Sequence, residues 1–273
     1  MYGAADFLGG LAARRTNTVA VVVVSQLSGM VLLAGVLPLL PGTSPAVTDL
    51  IWGAVAGSAV GAGLGLLYRA LAIGRMAVVA PTTAVCAVVL PLMVAMLLGE
   101  RPGPRTLVGI ALAILSIVLV SQPRTRAVHG AQVAPPRVPS GLGLALLSGV
   151  AIGLFFLSLA RTASTAGLWP LLAARSAAVA LCGLWAIAGG RSLRMAAPVA
   201  AVAIAGGVLD VLANALYLIA TRHGSLSVVV TLTSLYPAST VVLALAVLGE
   251  RLSALQGIGI ACALLAVLMI VGR

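Results

Sequence analysis

Long apolar runs, broken at intervals by arginine, proline and glycine, follow one another from Met1 to the last residues of the chain. A helix rises about 1.5 Å per residue and the hydrocarbon layer is about 30 Å thick, so a spanning helix needs about 20 apolar residues. Cutting the runs at their charged or Pro/Gly breaks predicts ten helices, over 1–13, 18–40, 48–69, 76–98, 103–121, 140–160, 166–189, 197–220, 225–248 and 253–271. A β-barrel, the other structure that satisfies its backbone in lipid, needs segments of about ten alternating residues, and these runs do not alternate. The expected class is an all-α integral membrane protein of about ten transmembrane helices. The first of them rises only about 20 Å and reads as truncated: laying Gly3–Thr16 over Gly149–Thr162 sets Met1 opposite Leu147.

The one long polar interval contains Arg124, Arg126, His129 and Arg137 among Pro123, Pro135, Pro136 and Pro139. Helix-breaking proline and clustered charge make it a loop. It divides the chain into a first five-helix unit (1–121), a polar linker (122–139) and a second five-helix unit (140–273). The two units are related. With Gly74–Ser121 laid over Gly224–Val271 without gaps, Leu98-Gly99-Glu100-Arg101 falls on Leu248-Gly249-Glu250-Arg251, and Gly109-Ile110-Ala111 on Gly259-Ile260-Ala261. Upstream, Leu67-Tyr68 matches Leu216-Tyr217 after a one-residue gap. An odd number of helices per copy makes the second enter the membrane from the opposite side. Such inverted repeats, with a site near the midplane between them, build many secondary transporters.

Composition agrees with lipid as the solvent: 62% of the 273 residues are hydrophobic and 8% charged, against about 25% charged in soluble domains. The net charge of +11 comes entirely from arginine, without a single lysine. Most of these arginines punctuate the apolar runs and do not gather on one face, so they read as topology determinants and headgroup contacts, with no nucleic-acid partner. One face receives Arg14, Arg15, Arg69, Arg75, Arg124, Arg126, Arg137, Arg191, Arg194 and Arg251; the other receives Arg101, Arg105, Arg161, Arg222 and Arg273. The positive-inside rule places the richer face in the cytoplasm and both termini outside. Cys86, Cys182 and Cys262 lie within apolar runs and read as small packing residues, and no metal-binding pattern is present.

Ionisable groups inside a membrane are costly unless paired or hydrated, which makes them functional candidates. Asp210 lies near the middle of the eighth predicted helix, with Asn214, Tyr217 and Thr221 following on the same face. That stripe would face protein or water; Asp210 could bind a cation or an amine, carry a proton, or serve as a packing acid. Arg175 is its electrostatic complement, able to pair with Asp210, receive a substrate carboxylate, or reach the interface. Asp6 has the same ambiguity. Thr233 and Tyr236 are further lining candidates, with Pro81, Thr82 and Thr83 behind them, because proline frees a carbonyl and hydroxyls line a path unless they bond back to the preceding turn. Glu100 and Glu250 precede new helices, where negative charge suits the N-terminal end. Gly53, Gly57, Gly61 and Gly65 leave one helix face bare, for close packing or for room along a central path.

The two G-E-R turns, the five-helix copies and the polar stripe together resemble the drug/metabolite transporter superfamily, EamA type. The opening Gly3–Arg15 and the blocks Leu66–Gln122 and Leu216–Gly272 carry the likeness. It implies a ten-helix bacterial inner-membrane permease that exports or exchanges amino acids, metabolites or drug-like solutes, some members coupling to protons or substrate exchange. It also implies cytoplasmic termini, opposite to the arginine count, and no chemical catalyst or cofactor. Expected partners are membrane lipids, a small-molecule substrate and, as a candidate, a second copy in a homodimer. A non-transporting structural or assembly protein is the alternative. An intramembrane enzyme fits less well, since the two histidines, His129 and His223, lie in the polar loop and at a helix end, and no paired-Asp motif exists.

Overall fold

The computed structural model of the chain describes residues 1–39, 45–97, 103–120, 140–223 and 236–271. Among them are ten α-helices: α1 (Tyr2–Ala13), α2 (Thr18–Val36), α3 (Val47–Ile73), α4 (Met76–Leu97), α5 (Pro104–Val120), α6 (Leu142–Leu159), α7 (Trp169–Ala188), α8 (Ala197–His223), α9 (Tyr236–Leu248) and α10 (Ala254–Val271). Five of them, α2, α3, α6, α7 and α8, are long and apolar enough to cross a bilayer, and α4, α5, α9 and α10 contribute shorter apolar stretches. Their outer surfaces expose Leu39, Leu97, Leu184 and Ile187, which in water would be an aggregation surface and in lipid is the natural exterior. The chain is an all-α, multi-pass membrane protein.

Helix ends follow local chemistry. The Asn17 side chain accepts the Val19 amide at 3.0 Å and starts α2. The same helix stops at Val36, before the expected 40: Leu37 is still in the helical region, but Pro38 has no N–H with which to continue the hydrogen-bond ladder, and a 3-10 turn, Leu37–Leu39, follows. In contrast α3 runs past Arg69 to Ile73: Arg69 points outward while Tyr68, Ala70 and Leu71 are buried, so packing carries the helix through the charge. Ser253 and Gln256 form a reciprocal box at the start of α10, with Gln256 N–H donating to Ser253 Oγ and Ser253 N–H to Gln256 Oε1, both at 3.2 Å. The ninth predicted helix, 225–248, is described from Tyr236 onward, and its first part lies outside the described residues, as do Glu100 and Arg101.

In space, α1 touches α2, α3, α8 and α9, while α3 lies against α6 and α7. Helix α2 packs on α7 and α8, α4 on α6, α9 and α10, and α5 on α10. The main core joins Val21 and Val22 of α2, Leu67, Tyr68 and Leu71 of α3, and Met76, Val78 and Val79 of α4 around α1. Two satellites hold α2, α6, α7 and α8 together through Leu33, Phe155, Leu171 and Val211, and α4, α5 and α10 through Val85, Ala113 and Ala266. Glycines bring backbones together where helices cross: Gly53 and Gly57 of α3 rest on Pro170 and Ala174 of α7, and Gly207 of α8 rests on Ser25 of α2.

The two ends of α3 are tied to different connections. Near its start, Asp49 accepts the Ala46 amide at 3.1 Å and the Ala163 amide at 2.8 Å, and the Arg161 guanidinium stands 5.9 Å from the Trp52 ring. Beyond its finish, Glu250 accepts the Met76 and Ala77 amides, each at 3.0 Å, and pairs with Arg14 at 3.3 Å. Arg14 also donates to the carbonyls of Leu71 and Gly74. Glu250 therefore serves the N-terminus of α4, in the other half of the chain, and not that of α10, the helix that follows it in sequence.

Candidate functional site

Arg175 sits on α7 and is only 5% exposed. A guanidinium so deep survives because its donors meet acceptors: Nη2 donates to Asp210 Oδ2 of α8 at 2.7 Å and Nη1 to Gln26 Oε1 of α2 at 2.8 Å. Gly29, three residues after Gln26 on α2, leaves the space; a Cβ there would lie 2.8 Å from Nη1 and 3.1 Å from Cζ. The Arg175 Nε–H has no acceptor among the described residues.

From Asp210 the polar chain continues toward α1. Asn214 Nδ2 donates to the Asp210 carbonyl at 2.8 Å, and Asn214 Oδ1 accepts from the Tyr2 hydroxyl at 3.0 Å. The Tyr2 ring packs edge-on to Tyr236 of α9, with centroids 5.9 Å apart. One turn after Tyr2, Asp6 reaches the same interior and has no hydrogen-bond or ion-pair partner among the described residues. Two carboxyl groups and one guanidinium thus share one space.

That space is a cavity of about 100 Å³, bounded by the polar groups above and by Val60, Leu64 and Leu67 of α3, Ile152, Phe155 and Phe156 of α6, and Leu171 and Ala174 of α7. It is well below the about 300–1,000 Å³ of ordinary ligand pockets, so seating a solute requires its walls to move apart. Apolar walls with a few convergent ionisable groups suit recognition and release of a small polar molecule, a cation or a proton.

Of the residues singled out from sequence, Asp210, Asn214, Arg175, Tyr236 and Asp6 converge on this cavity. Tyr217 and Thr221 lie on α8 with side chains outside the described residues, and Thr233 lies outside them altogether. Thr82 and Thr83 do not line it: Thr82 Oγ1 donates to the Val78 carbonyl at 2.9 Å and Thr83 Oγ1 to the Ala145 carbonyl at 3.2 Å, so both are spent on helix packing. The glycine face of α3 likewise turns away from the cavity. Its Gly53, Gly57 and Gly61 meet α7, Gly65 faces open space, and the wall is made instead by Val60, Leu64 and Leu67. Sequence reasoning missed Gln26 and Tyr2. Each carried a signal, a lone amide within an apolar run and a tyrosine one turn before Asp6. Among the described residues the three cysteines are free thiols, and no group of three or more His, Cys, Asp or Glu could hold a metal ion.

Comparison with known proteins adds two findings. A family model described as "EamA-like transporter family" matches residues 1–122 and 139–272. A solved structure titled only "Crystal structure of protein" superposes with a TM-score of 0.59 at 19% sequence identity, covering 98% of this chain and 95% of that one; at that identity it speaks to the fold alone. No curated protein matches the chain.

Proposed function

Since the chain belongs to the EamA-like transporter family, we propose that it is a secondary transporter carrying a small polar metabolite, amino acid or drug-like solute across a bacterial inner membrane by alternating access. The observation that carries this reading is the ionisable cluster of Arg175, Asp210 and Asp6, gathered at a cavity between helices of both halves. Residues 1–121 and 140–273 act as two inverted five-helix units joined by the linker 122–139. Helix contacts support that arrangement: α3 against α6 and α7 is matched by α8 against α1 and α2, and α4 against α6 by α9 against α1. Exchanging each helix for the one five places away converts each of these three pairings into its match, in keeping with a two-fold relation between repeats.

In this reading rocking of one unit against the other opens the cavity to alternate sides, and the Arg175–Asp210 pair is broken and remade by the solute. Asp6 adds a second carboxyl, without a partner of its own among the described residues, beside the paired Arg175 and Asp210, which favours a proton, a cation or an amine as the coupled or carried species. The test is flux of a metabolite panel into proteoliposomes at two opposed pH gradients without ATP. The wild-type protein should move at least one solute, and Asp210→Asn should lower that flux roughly tenfold or more, as expected when one partner of a buried ion pair is removed. No flux across the panel, together with stable capture of another membrane protein, would instead favour an assembly role.

A further inference from the structure

Away from the central cavity, α2, α3 and α7 enclose a second, larger space of about 1120 Å³ whose lining is polar at one end only. At that end lie Thr16, Asn17 and Thr18 of the α1–α2 turn, Arg69 near the end of α3, and Arg191 just past α7. Away from this end the walls are apolar, including Gly61, Gly65, Leu181 and Leu184. Gly65 has nothing within 4 Å of where a Cβ would stand, so the space reaches the α3 backbone.

We propose that this groove binds one anionic phospholipid of the leaflet on the α1–α2 side, with Arg69 and Arg191 holding the headgroup phosphate and an acyl chain lying along α3. Charge complementarity is the first argument. The two charged residues of the lining are both exposed arginines, with no acid among them, and basic pockets between transmembrane helices select anionic headgroups. Depth is the second. From Gly61 to Arg69 the helix climbs about 12 Å at about 1.5 Å per residue, close to one leaflet of a hydrocarbon layer about 30 Å thick. Polarity and size come third. A groove larger than the about 300–1,000 Å³ of small-solute pockets, wetted at one end and apolar below, has the shape of a lipid and not of a soluble anion. Trp185 marks the boundary, with the Arg191 guanidinium 4.7 Å from its ring centroid, the placement expected of an interfacial tryptophan.

Trp185 also provides the readout, which needs no transport activity and so stands or falls apart from the transporter reading. In a variant carrying Trp52→Phe and Trp169→Phe, quenching of Trp185 by acyl-brominated phosphatidylglycerol is compared with quenching by the matching phosphatidylcholine in mixed vesicles. Each arginine near an anionic surface contributes a factor of about five, so the site should prefer phosphatidylglycerol by about 25-fold. The preference should fall to near unity in R69A/R191A and survive in R69K/R191K, which keeps the charge. Both arginines are exposed, so the variants should fold, and retained Trp185 emission checks that they do. Equal quenching by the two lipids, an unchanged preference in R69A/R191A, its loss in R69K/R191K, or displacement by millimolar glycerol phosphate, which would mark a soluble-anion site, would each overturn the assignment.

Discussion

A buried guanidinium is held by what is missing as much as by what touches it. Gly29 has no side chain, and the Arg175 head occupies the place where one would be, between Gln26 and Asp210. Adding a single methyl at that point must push either the guanidinium or α2, and overpacking of this kind costs about 1–3 kcal/mol. Gly29→Ala is therefore expected to lower thermal stability in detergent and to depress transport. Gly35→Ala, on the same helix with nothing within 4 Å of its Cβ position, should leave both unchanged. Equal effects of the two substitutions would show that the space beside Arg175 is not specific. Asp210, Arg175, Asp6 and Tyr236 could be picked out beforehand because polar groups inside apolar runs are conspicuous. A pairing of Arg175 with Asp210 was also open to sequence reasoning, but the part that Tyr2 and Gln26 take was not, since five different helices contribute to the network and its neighbours.

Helix termini illustrate how a local rule can find a role and miss a partner. Glu250 was expected at the positive end of a helix, and it is there, but the helix is α4. The nearest candidate, α10, already has its Ser253 and Gln256 amides served by the reciprocal pair of those two side chains, a pairing legible in the sequence as Ser-x-x-Gln. Gln256 in turn accepts from Arg75 Nη1 at 2.6 Å, so the starts of α4 and α10 are bound together. Removing the Glu250 carboxylate strips two amides of their acceptor and Arg14 of its counter-ion. Capping residues contribute about 0.5–2 kcal/mol and a partly exposed ion pair about 0–1 kcal/mol. Glu250→Ala should therefore destabilise the protein by about 0.5–3 kcal/mol in detergent unfolding, with faster amide exchange at Met76 and Ala77, while Glu250→Gln, which keeps one acceptor, should lose roughly half as much. Unaltered exchange at those two amides in Glu250→Ala would contradict the cap.

Across the molecule, α3 sets the dimension. From Val47 to Ile73 its 27 residues extend about 40 Å, close to the about 40–45 Å of a bilayer with its headgroups. The connections tied to its two ends must then open on opposite sides. One end holds the α6–α7 connection through Asp49 and Ala163; the other holds the α1–α2 and α9–α10 turns through Arg14 and Glu250. In a background without Cys86, Cys182 and Cys262, thiols placed at Arg15 and Leu193 should react with an impermeant reagent from one side of the membrane, and a thiol at Thr165 only from the other. Labelling of all three from the same side would rule out a transmembrane α3. The same measurement in intact cells decides between the cytoplasmic termini implied by family resemblance and the external ones implied by the arginine count.

Hydropathy alone sufficed to name the solvent, locate nine of the helices and the end of the other within about four residues, and point to most of the ionisable interior, because each of these depends on a residue and its near neighbours in the chain. Apart from the few polar groups of α7 and α8, the long helices of this protein are apolar on every side, so the periodicity that separates inside from outside in a water-soluble helix carries little such message in lipid. Folding therefore had to choose which face meets which: that Gly53, Gly57 and Gly61 of α3 meet α7 while Val60, Leu64 and Leu67 wall the cavity, that Gln26 finds Arg175, and that Glu250 crosses to α4. Those choices rest on complementary shape and on the need of each buried polar group for a partner, and both conditions are met between segments far apart in sequence.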